Sequence, residues 1–149
     1  MLIRLKNKDT LKIDEFSFKC CIGKKGIKIK KVEGDLATPK GTYLLKNLYY
    51  RSDKYKKIET LLPKIRIKKS MGWCNDIKSK KYYNRLIKIK KKISHEKLSR
   101  KDFKYDLMIP IKYNFNKIIP GKGSCIFIHL TKNYLPTAGC IALKKKDFL

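Results

Sequence analysis

Apolar and polar residues alternate along much of this chain. Phe16, Phe18, Cys20 and Ile22 are separated by Ser17, Lys19 and Cys21, the period of two expected of a strand with one buried face. Met1 to Leu5 and Leu11 to Ile13 read as shorter strands ahead of it. Gly23-Lys24-Lys25-Gly26 is a turn, and Ile27-Lys28-Ile29-Lys30 resumes the alternation, so a first hairpin is predicted there. Glu33 to Gly41 reads as a structured loop, with Pro39 fixing one φ. Thr42 to Tyr50 is predicted as the next strand, and a shorter one at Ile65 to Ile67. Met71-Gly72-Trp73-Cys74-Asn75-Asp76 reads as a loop carrying the single Trp, and Leu86 to Ile89 as a strand. Ser94 suits an N-cap, so Ser94 to Arg100 is predicted as a short helix with His95 on its exposed surface. Tyr105, Leu107, Ile109, Ile111 and Tyr113 alternate again, and Pro110 sends part of that run to an edge or a bulge. Cys125 to His129 is an apolar strand that ends on the histidine, and Lys144 to Leu149 opens a short helix. Many short strands, Gly/Pro-rich turns and one or two short helices predict a mainly β fold, a sandwich or barrel, in a single domain over residues 1–149.

Composition changes this picture little. A 42% hydrophobic content suits a packed core. No apolar run reaches the ~18 residues of a membrane span, and Met1 to Lys6 lacks the apolar core of a signal peptide. The expectation from the residues alone is a chain without an export address. The formal charge is +27, yet only five of the 39 basic residues are Arg (4, 51, 66, 85 and 100). Lysines are spread along the whole chain, and readers of specific bases favour Arg, so the charge reads as compositional bias more than as a nucleic-acid site. Five cysteines and no Cys-x-x-Cys pair argue against a disulfide framework and against zinc.

Candidate chemistry concentrates between Ile126 and Leu143. An apolar strand delivers His129 to a sheet rim, and the loop from Thr131 to Pro136 can return the chain so that Cys140 stands beside it. A thiol near its ordinary pKa of about 8.5 is little ionised at neutral pH. A neighbouring imidazole that takes its proton makes it a nucleophile toward carbonyls. Gly139 leaves backbone N–H groups uncovered for an oxyanion. His129 needs an acceptor on its other nitrogen, and with no carboxylate near in sequence the Leu130 carbonyl is the default. On spacing alone, Cys140 as a buried structural residue is an open alternative, and Trp73 is either a core plug or a groove wall.

These residues also carry a resemblance. Gly123-Ser124-Cys125-Ile126-Phe127-Ile128-His129, followed by Pro136-Thr137-Ala138-Gly139-Cys140-Ile141-Ala142-Leu143, resembles the L,D-transpeptidase catalytic domain (YkuD-like), and its small single-domain branch most closely. Glu33-Gly34-Asp35 with Thr38-Pro39-Lys40-Gly41-Thr42-Tyr43 is similar to that family's entry motif. Gly72-Trp73-Cys74-Asn75-Asp76, Tyr83-Asn84-Arg85, Tyr105-Asp106-Leu107 and Asn114 fall in the branch's order. The resemblance implies a β-sandwich-like catalytic fold with Cys140 as nucleophile, His129 as base and the Leu130 carbonyl as third member. It implies acyl transfer on peptidoglycan stem peptides through a thioester, with no metal or cofactor, and Thr137, Trp73, Arg85 and Asn114 toward the substrate. The same likeness implies action in the periplasm or cell envelope, and a monomer is expected. The alternatives are carboxypeptidase or amidase action on the same peptides, or a non-catalytic basic module binding nucleic acid or wall polymer. One departure stands out: most of the family carries a histidine before the Gly-Cys, where this chain has Ala138.

Overall fold

A computed structural model describes residues 2–29 and 32–149, so Met1 and Lys30 of the predicted strands lie outside the described residues. The chain is mainly β. Its strands, in order, are β1 (Ile3–Leu5), β2 (Thr10–Ile13), β3 (Phe16–Cys21), β4 (Ile27–Lys28), β5 (Thr38–Pro39), β6 (Leu48–Tyr50), β7 (Lys64–Arg66), β8 (Met71–Cys74), β9 (Leu86–Lys88), β10 (His95–Lys97), β11 (Leu107–Pro110), β12 (Phe127–Leu130) and β13 (Ile141–Leu143). One short helix, α1 (Lys145–Phe148), follows. The main sheet has eight strands in the order β1-β2-β3-β13-β12-β11-β6-β7, accompanied by a three-stranded sheet β10-β8-β9 and the pair β4-β5.

The predicted β3–β4 hairpin does not form: β1 pairs antiparallel with β2, and β2 with β3. Ile13 pairs with Phe16, and Asp14 takes the left-handed conformation (φ 50°) that so tight a connection demands. The Gly23–Gly26 turn forms as predicted, closed by Gly26 N–H donating to the Gly23 carbonyl. It leads instead into β4, which pairs parallel with β5. Gly23 stays beside β5 because a Cβ there would meet the Leu36 carbonyl at 2.6 Å.

Two other predictions fail for one shared reason. The segment holding Trp73 is a strand, β8, and Ser94–Arg100 is not a helix: His95, Glu96 and Lys97 pair antiparallel with Cys74, Trp73 and Gly72. The Ser94 hydroxyl, expected to cap a helix, donates to Asn75 Oδ1 at 2.7 Å. Cross-sheet pairing, which a local reading cannot see, overrides the local helix signal. His95 is accordingly half-buried on a strand, with Nδ1 2.6 Å from the Ile93 carbonyl. The strand predicted for Thr42–Tyr50 shrinks to Leu48–Tyr50, with Leu45 making an isolated bridge to Ile111. Pro110 interrupts the run on one side, as expected, with the next bridge there at Leu45–Ile111, although β11 itself is a central strand. It ends β11, which lies between β12 and β6, and pairing with β6 reaches only Met108. The missing N–H of Pro110 therefore costs the ladder toward β6 nothing.

The two faces of the main sheet carry separate cores. On one, Tyr49, Trp73, Leu98, Tyr105, Met108 and Phe127 pack together with Cys140, joining the main sheet to the three-stranded sheet. On the other, Leu11, Cys20, Ile22, Ile128, Ile141 and Leu143 cluster. Alternation along β12 and β13 sorts these side chains: Phe127 falls to the first core and Ile128 to the second.

A candidate cysteine–histidine active site

β12 and β13 are neighbours and run parallel, with Ile128 opposite Ile141, His129 opposite Ala142 and Leu130 opposite Leu143. Parallel strands cannot be joined by a tight turn, because the chain must travel back along the strand it has just left. Residues 131–140 make that return. Cys140 thus arrives one residue before β13, level with Phe127. Side chains on one strand share a face at every second position, so Cys140, Ala142, Phe127 and His129 face the same way. At about 4.8 Å between strands and about 3.3 Å per residue, the Cα atoms of Cys140 and His129 are set about 8 Å apart, a diagonal that two side chains can close.

The return loop is held where this geometry needs it. Thr137 N–H donates to the Ile22 carbonyl at 2.9 Å, and Lys24 N–H donates to the Thr137 carbonyl at 2.9 Å. The Thr137 hydroxyl donates to the Cys140 carbonyl at 2.6 Å and accepts from Gly139 N–H at 3.1 Å. The Thr38 hydroxyl, in β5, donates to the Gly139 carbonyl at 2.9 Å and accepts from Gly23 N–H at 2.9 Å. Gly139 has φ +139°, and a Cβ there would lie 2.9 Å from the Ala37 carbonyl oxygen. Only glycine lets the chain pass so close to β5 and turn into the cysteine.

Cys140 and His129 line one cavity of about 460 Å3. Both are buried, 8% and 7% exposed. The thiol donates to the Cys125 carbonyl at 3.3 Å and receives Phe127 N–H at 3.4 Å. His129 Nδ1 lies 2.9 Å from the Leu130 carbonyl. A carbonyl only accepts, so Nδ1 carries the proton and Nε2 is the basic nitrogen. Tyr105 stacks edge-on against the imidazole at 5.4 Å and gives its hydroxyl to Glu96 at 3.0 Å.

Burial pushes the His129 pKa from 6.5 down to about 4, and the positive charges of Lys104 and Arg100 push the same way, against the raising effect of the Leu130 carbonyl. The imidazole is therefore neutral at pH 7. A preformed thiolate–imidazolium pair, the reactive form considered from the residues alone, is disfavoured at rest because burial, with the Lys104 and Arg100 charges, outweighs the Leu130 carbonyl and Asp102. Burial also pushes the Cys125 thiol well up, and Cys20, in the opposite core, to about 12. Cys21 stands opposite Ala142, one strand further from His129, and burial raises it as well.

The remaining sequence-named residues divide. Thr137 lines the cavity, as do Leu130 and Ala138. Trp73 does not: it is 5% exposed, its ring packs edge-on against Phe127 at 5.4 Å, and its indole N–H donates to Asn84 Oδ1 at 3.0 Å. Of its two open readings, the core plug matches this placement, and the groove role is corrected. Arg85 is exposed and away from the cavity. Asn114, also outside it, staples its own loop, accepting from Ile119 N–H and donating to the Ile119 and Gly123 carbonyls. Sequence reasoning gave no role to Thr38, Tyr105, Glu96, Arg100 or Lys104. Thr38 and Tyr105 stood in quoted motifs, but nothing local shows that their partners are Gly139 and His129.

A thiol and a neutral imidazole converging on one cavity, on a mainly β scaffold, define a cysteine–histidine site. A family model described as the L,D-transpeptidase catalytic domain, YkuD, matches residues 3–149. The chain belongs to that family, whose members are L,D-transpeptidases acting on peptidoglycan peptides of the cell envelope. No curated protein and no solved structure matches it significantly. Among the described residues, no helix is long and apolar enough to cross a membrane.

Proposed function

We propose that this protein is a cysteine acyltransferase that exchanges the acyl group of a peptidoglycan stem peptide through a thioester on Cys140, with His129 as the base. The observation that carries this reading is the His129 imidazole, tied through Nδ1 to the Leu130 carbonyl and lining the same cavity as the Cys140 thiol. That bond fixes the tautomer and leaves Nε2 to receive a proton.

In the first step the Cys140 sulfur bonds to a peptide carbonyl carbon while its proton passes to His129 Nε2. The tetrahedral centre collapses, the C–N bond breaks, and His129 returns the proton to the departing amine. In the second step an amine attacks the thioester, gives up a proton to His129, and the thiolate leaves and is reprotonated. A base with a pKa near 4 is too weak to hold an ion pair before substrate arrives. Proton transfer therefore accompanies carbon–sulfur bond formation. A substrate carboxylate against Lys104 and Arg100, both at the cavity wall, would offset their push on the imidazole and make it a stronger base once substrate is bound.

The oxyanion is harder to assign to Gly139, because its N–H is already given to Thr137. What Gly139 contributes is passage of the chain past Ala37. Thr137 acts in this reading by setting the turn before the nucleophile. Exposed Ala138 stands before Gly139 and Cys140, where a histidine would be a second base, so His129 serves both half-reactions.

Intact-mass spectrometry after exposure to a carbapenem tests the nucleophile. One adduct is expected, located by peptide mapping to Cys140 and absent in Cys140→Ala. That variant should fold normally and lose transfer on soluble muropeptides. An adduct elsewhere, or full activity in Cys140→Ala, refutes the mechanism.

A further inference from the structure

The cavity wall carries charges of both signs. On a chain with 39 basic and 12 acidic residues, carboxylates at its wall are conspicuous. Glu33 and Glu96 both line it, and so do Arg100 and Lys104. Lys104 and Arg100 act on His129, whereas Glu96 and Glu33 act on Cys125. Arg100 is ion-paired with Asp102 and lies near Glu96, so those charges meet locally, whereas Glu33 stands apart from them.

Glu96 is engaged, accepting from Tyr105 and lying 3.7 Å from Arg100. Glu33 is placed differently. One oxygen, Oε2, takes both the Tyr83 hydroxyl and, at 2.8 Å, the Ser124 hydroxyl. Tyr83 is itself fixed by accepting Gly123 N–H at 3.0 Å. Tyr83 is fully buried and Ser124 is 4% exposed, so both donors are immobile. These contacts anchor the half-buried Glu33 carboxylate through one oxygen, and among the described residues no cation is paired with it. The next residue after Ser124 is Cys125, whose carbonyl holds the Cys140 thiol. That chain of contacts keeps carboxylate and sulfur within about 15 Å even at full stretch.

We propose that Glu33 is the docking residue for a cationic acyl acceptor: the ammonium of an amino-acid side chain or terminus enters at the Glu33 end and attacks the Cys140 thioester from there. This rests on the acyltransferase reading above. The acceptor docks as R–NH3+, releases one proton to solvent, and attacks as R–NH2. The new C–N bond forms and the C–S bond breaks, the second proton passing through His129 to the sulfur. The products are an amide and the free thiol. Water carries no charge for Glu33 to hold, so the residue favours aminolysis over hydrolysis.

The test uses a soluble tetrapeptide muropeptide as donor, with N-acetyl-lysine amide as cationic acceptor and hydroxylamine as neutral one, in wild type and Glu33→Gln. The glutamine carbonyl still accepts from Tyr83 and Ser124, so a purely structural role is preserved while the charge is removed. The expected result is a KM for the lysine acceptor raised about 10- to 100-fold, the loss of one charge-assisted contact, and a transfer-to-hydrolysis ratio lowered in proportion. Acyl-enzyme formation and hydroxylamine aminolysis should stay within a factor of three. Unchanged lysine KM in Glu33→Gln overturns the proposal, and so does equal loss with both acceptors, which would mark a structural role. A wild-type protein that forms no acyl-enzyme overturns the acyltransferase reading and this one with it.

Discussion

His129 is a buried histidine kept neutral, and that makes the protein's stability depend on pH in a calculable way. Its pKa is depressed in the folded chain, from 6.5 to about 4. The unfolded chain therefore binds more protons between those values. Stability from this group is fully present above pH 6.5 and is lost as pH falls through the window toward 4. The whole interval is worth about 3 kcal/mol, at about 1.4 kcal/mol per unit. Between pH 7 and pH 5 the linkage relation gives a loss of about 2 kcal/mol. Substituting His129→Gln removes the titrating group while leaving other ionisable groups in place, so the difference between the two proteins isolates it. Urea unfolding of both at pH 7 and pH 5 is the assay. Wild type should lose about 2 kcal/mol more than the variant over that drop. Equal losses would show that His129 is not held neutral by burial, and the concerted proton transfer argued above would fall with it.

Two further predictions concern the frame around the thiol. Gly139→Ala puts a Cβ 2.9 Å from the Ala37 carbonyl at φ +139°; a stability loss of about 1–3 kcal/mol is expected, read by thermal melting, together with a large loss of turnover, and a variant that melts like wild type would sink the close-approach argument. Trp73→Phe removes the indole donor from Asn84 and is expected to destabilise the fold by about 1–3 kcal/mol while leaving the KM for donor peptide unchanged; a raised KM without loss of stability would restore Trp73 to the groove.

Much of the fold was legible locally. β3, β7, β9 and α1 follow from alternation and breaker residues, each close to its predicted span. The failures share a cause. Ser94 to Arg100 offered an N-cap and a run that suits a helix, and Trp73 sat between turn-forming neighbours, but each segment found the other as a strand partner. Pro110 marked a strand's end and could not say that the strand is central. In the site, Cys140, His129 and the Leu130 carbonyl stood out from residue type and spacing, and the resemblance gave them roles. Thr38 and Glu33 lie about a hundred residues from the groups they hold, Gly139 and Ser124, and no pattern along the chain connects them.

The sequence by itself determined that this is a mainly β chain with a strand ending near a histidine, a loop, and a glycine followed by a cysteine. Those are properties of short segments, set by side-chain alternation and by where the backbone can turn. Only the tertiary structure decided that β12 and β13 run parallel and adjacent, so that Cys140 and His129 share a face. It also decided that Trp73 supports that face from below, and that burial and two cations hold the imidazole neutral. Register, burial and the field at a buried group depend on strands distant in sequence, so these properties appear only when the sheet is assembled.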